Sequence, residues 1–530
     1  MFARPVISAS TLPARGARQP RILAVLGISA LVLAACGGGD SEIQATGPTE
    51  HPAGAGSCGS RSNDSIDKLL DCVTLAGVRA HQANLQAIAD ANGGTRAAGT
   101  PGYDASLAYV EGSLVAAGYN VTRNAFPFVF YKPADLQQVR PGTATYLTAM
   151  FTNSGIGDVT AAVTAVDIQL SLQDTSSSGC EVADFAGFPV GNIALVRRGT
   201  CAFAVKATNA QAAGASAVIV FNEGNNSEPD RNGLVAGTLA PAISKIPVVG
   251  ASYADGVLIA GTAGITMRVT TYAPVNTTQY NLLAETRDGN AGNVVMVGAH
   301  LDSVQAGPGI NDNGSGSAAI LEVALQMSRV KPRNKVRFAW WGAYEAGLVG
   351  STNYVNGLSQ AEKDRIALYL NFDMVGSPNY VFFIYDGDDS DRVGAGPGPG
   401  GSAQIEQTFE RFYQQRGVPF KGSDFSGRSD YGPFIAAGIP AGGLFTGAEV
   451  IKTAQEAAIW GGTAGHRYDP CFHLACDTFA NNNNFALETN ADAIAYATLQ
   501  YAMTTQDVND QRGKGNFKKL VVPYPPPPAK

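Results

Sequence analysis

From residue 300 onward the chain carries five side chains of the kind that hold a hydrolytic metal: His300 in GAHLD, Asp312 in GINDNGSG, Glu345 in WWGAYEAGLVGS, Asp373 in LNFDMVGS and His473 in PCFHLACD. Each stands where an apolar run meets a Gly-rich or polar turn. Imidazoles mixed with carboxylates are the ligand set that suits zinc, and Mn or Co can use the same cage. The residue before Glu345 is Tyr344. His466 is the rival of His473, but His473 stands between Cys471 and Cys476 and is the expected ligand. His51 falls in a polar tether and His81 in the first helix, where both are expected to be solvated or structural.

The elements that must position these groups are legible as apolar runs. Residues 294–298 (VVMVG) read as a central strand leading into His300, residues 336–341 as the next strand, running towards Glu345, and residues 366–372 as a third, running into Asp373. Between the first two, residues 317–330 place Ile320, Val323, Ala324 and Met327 at helical spacing. Strands alternating with helices give a mostly parallel sheet flanked by helices, and such sheets carry their sites at the carboxyl ends of the strands. Three of the five candidates fall at such ends. Upstream, helical spacing runs from Ser65 through Leu69, Leu70, Val73, Leu75, Leu85 and Ile88, followed by a helix over about 103–117 and a strand beginning near Val121. Between about 130 and 272 the texture is β-rich, with a strand at 193–196, a helix at 204–213 and a strand at 217–221. No histidine occurs between His81 and His300, so this middle segment has no catalytic spacing of its own.

At 530 residues with 45% hydrophobic content, the chain predicts two or three folded units. Arg4, Arg15, Arg18 and Arg21 precede an apolar stretch, 22–35, too short to span a bilayer as a mature helix and read as a signal peptide. It ends Leu33-Ala34-Ala35-Cys36, which resembles a bacterial lipobox and makes Cys36 a candidate lipid attachment point in the cell envelope, with the outer membrane favoured by Gly37 and plain secretion the alternative. Loss of residues 1–35 removes four arginines and no acid, taking the net charge from −7 to −11. That acidity argues against nucleic acid as a partner. Residues 36–64 are read mainly as a flexible tether and 506–530 as a proline-rich, extended tail. The six other cysteines fall into sequence-local pairs, Cys58 with Cys72, Cys180 with Cys201 and Cys471 with Cys476, among the 15 connectivities six cysteines allow.

The stretch LVRRGTCAFAVKATNAQAAGASAVIV resembles the protease-associated (PA) domain, and residues 131–274 are assigned to such an insert, as an accessory lid or substrate-positioning module or as a purely structural unit. GAHLDS, GINDNGSG, FAWWGAYEAGLVGS, NFDMVGSPN, GRSDYGPF, GGLFTGAE and YDPCFHLACDT, in that order, resemble the M28 family of zinc aminopeptidases over residues 65–130 and 275–505. The resemblance implies a zinc-exopeptidase-like α/β fold, two Zn²⁺ ions and removal of amino-terminal residues from peptides. Carried over by position, it places His300 and Asp373 on one zinc, Glu345 and His473 on the other, and Asp312 between them. It also makes Asp302 the group that orients His300, and Arg428 a group that stabilises the transition state or anchors substrate. It marks departures too: Tyr344 at the general-base position normally held by Glu, Phe472 where Tyr is frequent, and Tyr431 where His is frequent. Two functions follow, an exported zinc exopeptidase slowed by Tyr344, or a zinc-bearing protein that binds peptides without cleaving them.

Overall fold

The computed structural model describes residues 58–510, apart from 171–175, 225–230, 393 and 395. The signal peptide, Cys36, most of the tether, His51 and most of the proline-rich tail lie outside these residues. No helix among the described residues is long and apolar enough to cross a membrane.

Val294, Val295, Met296 and Val297 are all buried, as expected of a parallel strand covered on both faces. The strand they belong to, Asn290–His300, lies at the centre of an eight-stranded sheet. The order is Asn120–Phe130, Val275–Glu285, Asn334–Trp341, Asn290–His300, Ile366–Phe372, Ala441–Phe445, Phe383–Tyr385 and Lys421–Ser423. From Asn334–Trp341 to Ala441–Phe445 the neighbours are parallel, and His300 lies level with Trp341. Their carboxyl ends therefore share one edge, from which His300, the Gly342–Glu345 turn and Asp373 all emerge. The expected helix at 317–330 is Gly314–Met327, buried on nearly every residue, and it packs between the sheet and the helices Leu75–Ala91, Pro101–Ala117 and Asn484–Met503. Its small and apolar residues let it sit in the interior, and its buried Glu322 meets His81 there.

The helical run expected from Ser65 is two helices, Ile66–Leu70 and Leu75–Ala91. The break has a local cause, because Thr74 caps the second helix by accepting the N–H of Gly77, leaving residues 71–74 as a turn.

Asn120–Phe130 pairs antiparallel along its whole length with Val275–Glu285, so the chain leaves and re-enters the large sheet at adjacent strands. The residues between them form a second eight-stranded sheet containing Asp135–Arg140, Thr266–Thr271, Gly157–Ala165, Ile193–Arg197, Ala217–Phe221 and Val248–Ala251. Alternate residues feed its two faces: Ile193, Leu195 and Ile219 enter one apolar cluster, and Ala194, Val196 and Val218 the other. The fold is thus α/β, a mostly parallel mixed sheet flanked by helices with a β-rich insert. Disulfides join Cys58 to Cys72, Cys180 to Cys201 and Cys471 to Cys476.

Candidate metal centre

The five candidates converge at the carboxyl edge of the large sheet. Asp312 occupies the middle: its Oδ1 lies 3.2 Å from His300 Nε2 and its Oδ2 3.3 Å from His473 Nε2. Asp373 Oδ1 approaches His300 Nε2 to 3.2 Å, and Glu345 Oε2 approaches His473 Nε2 to 3.2 Å. Two ligand atoms on one tetrahedral zinc, each about 2.0–2.2 Å from it, stand roughly 3.3 Å apart, so these separations would suit zinc ligands, with Asp312 common to both sets. The donors fit the metal in a second respect. Glu345 Oε1 is buried and has no hydrogen-bond donor among the described residues, an expensive arrangement unless a cation meets it. His466 is exposed, and among the described residues its carbonyl accepts from Lys452 N–H and Asn379 Nδ2, so His473 is the histidine that reaches the cage.

Each group is held by its neighbours. A backbone carbonyl can only accept, so the 3.0 Å contact between His300 Nδ1 and the Asp302 carbonyl places a proton on Nδ1 and turns Nε2 towards the carboxylates. Asp302 thus orients His300 through its main chain. Its carboxylate, 3.8 Å from the ring nitrogen, instead accepts the N–H groups of Tyr344 and Glu345 at 3.1 and 3.2 Å and fixes the turn that presents Glu345. Asn313 caps the helix behind Asp312, donating to the Phe372 carbonyl at 2.8 Å and accepting Met374 N–H at 3.1 Å, which ties Asp312 to the strand end bearing Asp373. A buried relay from Trp341 through Tyr369, Asn371 and Ser429 ends in a 2.7 Å bond from Ser429 Oγ to Asp373 Oδ2.

Two acids that the sequence reading did not single out clamp the loops. Asp477 accepts the N–H of Asn311 at 2.8 Å and of Asp312 at 2.9 Å on its two oxygens. Asp469 accepts Asn311 Nδ2 at 2.7 Å and Cys471 N–H at 2.8 Å, and Asn481 Nδ2 donates to both acids. The signal in the sequence is their placement on either side of CFHLAC, in DPCFHLACD. Ser429 and the buried Asp430, neither of whose carboxylate oxygens has a hydrogen-bond donor among the described residues, were also passed over, although they adjoin Arg428.

The electrostatics are those of crowded acids. Burial, then Asp312, pushes Glu345 up to about 7. Burial opposes charge on His473, but Asp312 and Glu345 outweigh it and raise that imidazole to about 10. Tyr344 is driven well above its ordinary value by burial, with Asp373 and Asp312 adding to it, so it is a neutral phenol. Its ring lies flat on His300, with centroids 3.6 Å apart and planes at 4°, and its hydroxyl donates to the Arg428 carbonyl at 3.2 Å. Phe472 stacks on His473 at 3.8 Å. The Arg428 guanidinium is 77% exposed and lies 3.4 Å from Glu449, while Tyr431 is buried beneath the cleft and its hydroxyl accepts Gly427 N–H. His81 is structural, bonded to Tyr109 and Glu322.

The cleft above the cage has a volume of about 600 Å³, with Asp312, Glu345, Asp373 and His473 in its wall, and Phe383, Tyr385, Phe445 and Tyr468 among its lining residues.

Residues 281–498 match the family model of peptidase family M28, and residues 159–259 match that of the PA domain. The chain is 50% identical over 449 residues to an aminopeptidase of Pseudomonas aeruginosa, covering 83% of each chain. It is 43% identical over 451 residues to the probable lipoprotein aminopeptidase LpqL of Mycobacterium tuberculosis, covering 84% of this chain and 88% of that one. Its fold is similar to that of BSAP, a zinc aminopeptidase from Bacillus subtilis, with a TM-score of 0.59 at 24% identity over 84% of this chain and 99% of that one.

Proposed function

The chain belongs to peptidase family M28, carries a PA domain and is an aminopeptidase, and we propose that it works with two zinc ions at the five-residue cage. One would be held by His300, Asp373 and Asp312 Oδ1, the other by His473, Glu345 and Asp312 Oδ2. The observation that carries this reading is Asp312, with one oxygen facing each imidazole. Zinc so held supplies Lewis acidity, which polarises a peptide carbonyl and makes water a stronger acid.

The chain's own residues supply the rest. The aromatic wall of Phe383, Tyr385, Phe445 and Tyr468 receives an apolar amino-terminal side chain, and the exposed Arg428 stands in the cleft to anchor substrate. Tyr344, neutral and stacked on His300, donates hydrogen bonds and takes no proton. The proton transfer that a Glu would perform at this position is therefore missing, and turnover is slow. Residues 65–130 and 275–505 form the peptidase unit in this reading, and 131–274 the insert. Export and lipid attachment at Cys36 are supported by the lipobox-like sequence and by the lipoprotein name of the mycobacterial relative.

The test is zinc content and leucine anilide hydrolysis on one preparation, with Tyr344→Glu beside the parent. About two zinc ions per chain, chelator-sensitive turnover and a gain of at least tenfold in kcat for Tyr344→Glu are expected. Parent turnover unaffected by chelator would sink the zinc reading, and an unchanged kcat in the variant would sink the missing-base reading.

A further inference from the structure

A second groove, of about 920 Å³, adjoins the metal cleft and shares Leu348 and Ser426 with it as common walls. We propose that this groove binds the part of a peptide that lies downstream of the cleaved bond, a proposal that rests on the aminopeptidase reading. A cleft of about 600 Å³ covers a ligand of roughly drug size. Each further residue of an extended peptide adds about 3.3–3.6 Å, so a longer substrate must continue past the rim. Leu348 and Ser426 line both the cleft and the groove, so a chain that leaves the cleft over these residues enters the second groove.

The groove suits a peptide backbone in shape and charge. Thr352 and Lys363, from the helices Val349–Gly357 and Gln360–Arg365, line one side, and Gly398 and Ala436 contribute to the rest. Its floor is firm at the 427–432 turn, where Gly427 has φ +77° and a Cβ on Gly432 would come within 2.5 Å of the Gly427 carbonyl oxygen. Lys363 is the single charged residue lining it, and no salt bridge engages that ammonium among the described residues. In a chain of net charge −7, an unpaired cation in a groove continuous with the cleft is complementary to a peptide's carboxy-terminal carboxylate.

The experiment uses the full zinc-loaded chain, leucine anilide, and the peptide Leu-Gly-Gly-Gly-Gly as free acid and as amide. Ala436→Trp fills the groove from an exposed position, and Lys363→Glu reverses its charge. Folding is checked by thermal melting. In Ala436→Trp the ratio of kcat/KM for the pentapeptide to that for the anilide should fall at least tenfold. In Lys363→Glu the free acid should lose at least fivefold relative to the amide. Ratios unmoved in both variants overturn the groove while leaving the aminopeptidase reading intact, because the anilide reports on the latter alone. If the parent turns over neither substrate, the aminopeptidase reading fails by itself. Binding of a carboxy-terminally labelled pentapeptide then decides the groove: weakened binding in Ala436→Trp supports it and undiminished binding overturns it.

Discussion

Replacing Asp477 by Asn is expected to weaken zinc binding while the chain still folds. In the parent, two carboxylate oxygens meet two backbone donors, Asn311 N–H at 2.8 Å and Asp312 N–H at 2.9 Å. An Asn offers one oxygen, and its amide NH₂ turns the other contact into donor against donor. A hydrogen bond to a charged group is worth about 1.5–3 kcal/mol, and here one is lost. Other ties to the loop survive, since Ile310 N–H still donates to the Asp477 carbonyl and Asn311 Nδ2 to Asp469. The damage is therefore a loosened Asp312, and a substitution behind a metal ligand typically lowers affinity about 10–100-fold, or roughly 1.4–2.7 kcal/mol. The two figures agree in size, so most of the lost bond should appear as lost affinity. Zinc affinity is read by competition with a chelator of known affinity, and the melting temperature of the metal-free protein monitors the fold. Parent-like zinc affinity in a folded Asp477→Asn protein would show that the clamp does not position Asp312.

Three further outcomes are expected. Joint replacement of Cys471 and Cys476 by Ser frees the loop 472–475 that holds His473 at φ +59°, and zinc content should drop from about two ions to about one by mass spectrometry of the native protein; full occupancy would show that the loop needs no disulfide. Tyr344→Phe keeps the ring on His300 and removes the hydroxyl that donates to Arg428, so anilide kcat should change less than about twofold if the tyrosine serves by packing, whereas a tenfold fall would make the hydroxyl a participant. Burial, then Asp388 and Asp386, pushes Glu406 up to about 9 from an ordinary 4.5. Its contribution to stability is therefore full below about pH 4.5 and is lost as pH rises towards 9, and Glu406→Gln should melt near the parent at pH 4.5 and increasingly above it up to pH 9, a gap constant with pH being the contrary result.

The strands were legible because burial on both faces writes an unbroken apolar run, as in VVMVG, and the run stops where the chain emerges at the sheet edge. His300 and Asp373 stand at those stops, and Glu345 only four residues beyond Trp341, so three candidate ligands could be placed before their distances were known. His473 was found through its flanking cysteines. The clamp was hidden for the opposite reason. Asp477 makes its contacts with residues 165 and 166 positions away, and a lone acid beside a Cys reads as a surface group. The stacking of Tyr344 on His300 was equally hidden, because residue type reveals a missing carboxylate but not which ring the replacement covers. Asp302 shows the limit in finer grain: its closeness to His300 was legible, but whether carbonyl or carboxylate would touch the ring depended on the turn at 344–345.

The buried charge around the cage carries the metal argument further than the ligand pattern does. Asp302, Asp312, Asp373, Asp430, Asp469 and Asp477 are all at least nine-tenths buried, and Glu345 is nearly so. Besides His300 and His473, whose imidazoles these acids hold above their ordinary value, the buried cation facing several of them is Arg96, and its guanidinium is spent on the carbonyls of Leu301, Pro308 and Gly309. Burial is the leading cause that pushes Glu345, Asp430 and Asp477 each up to about 7, and neighbouring acids add to it. Taking so many carboxylates out of water is unfavourable even where N–H, hydroxyl and amide donors meet them, as they do at Asp302, Asp373, Asp469 and Asp477, and further cations would offset the excess. The four positive charges of the proposed zinc pair would do so where the excess is densest, between the two imidazoles. On this view the acids beneath the cage are part of the metal site although they touch no metal. Metal binding at the proposed cage, by relieving that excess, would stabilise the same loops that hold the candidate ligands.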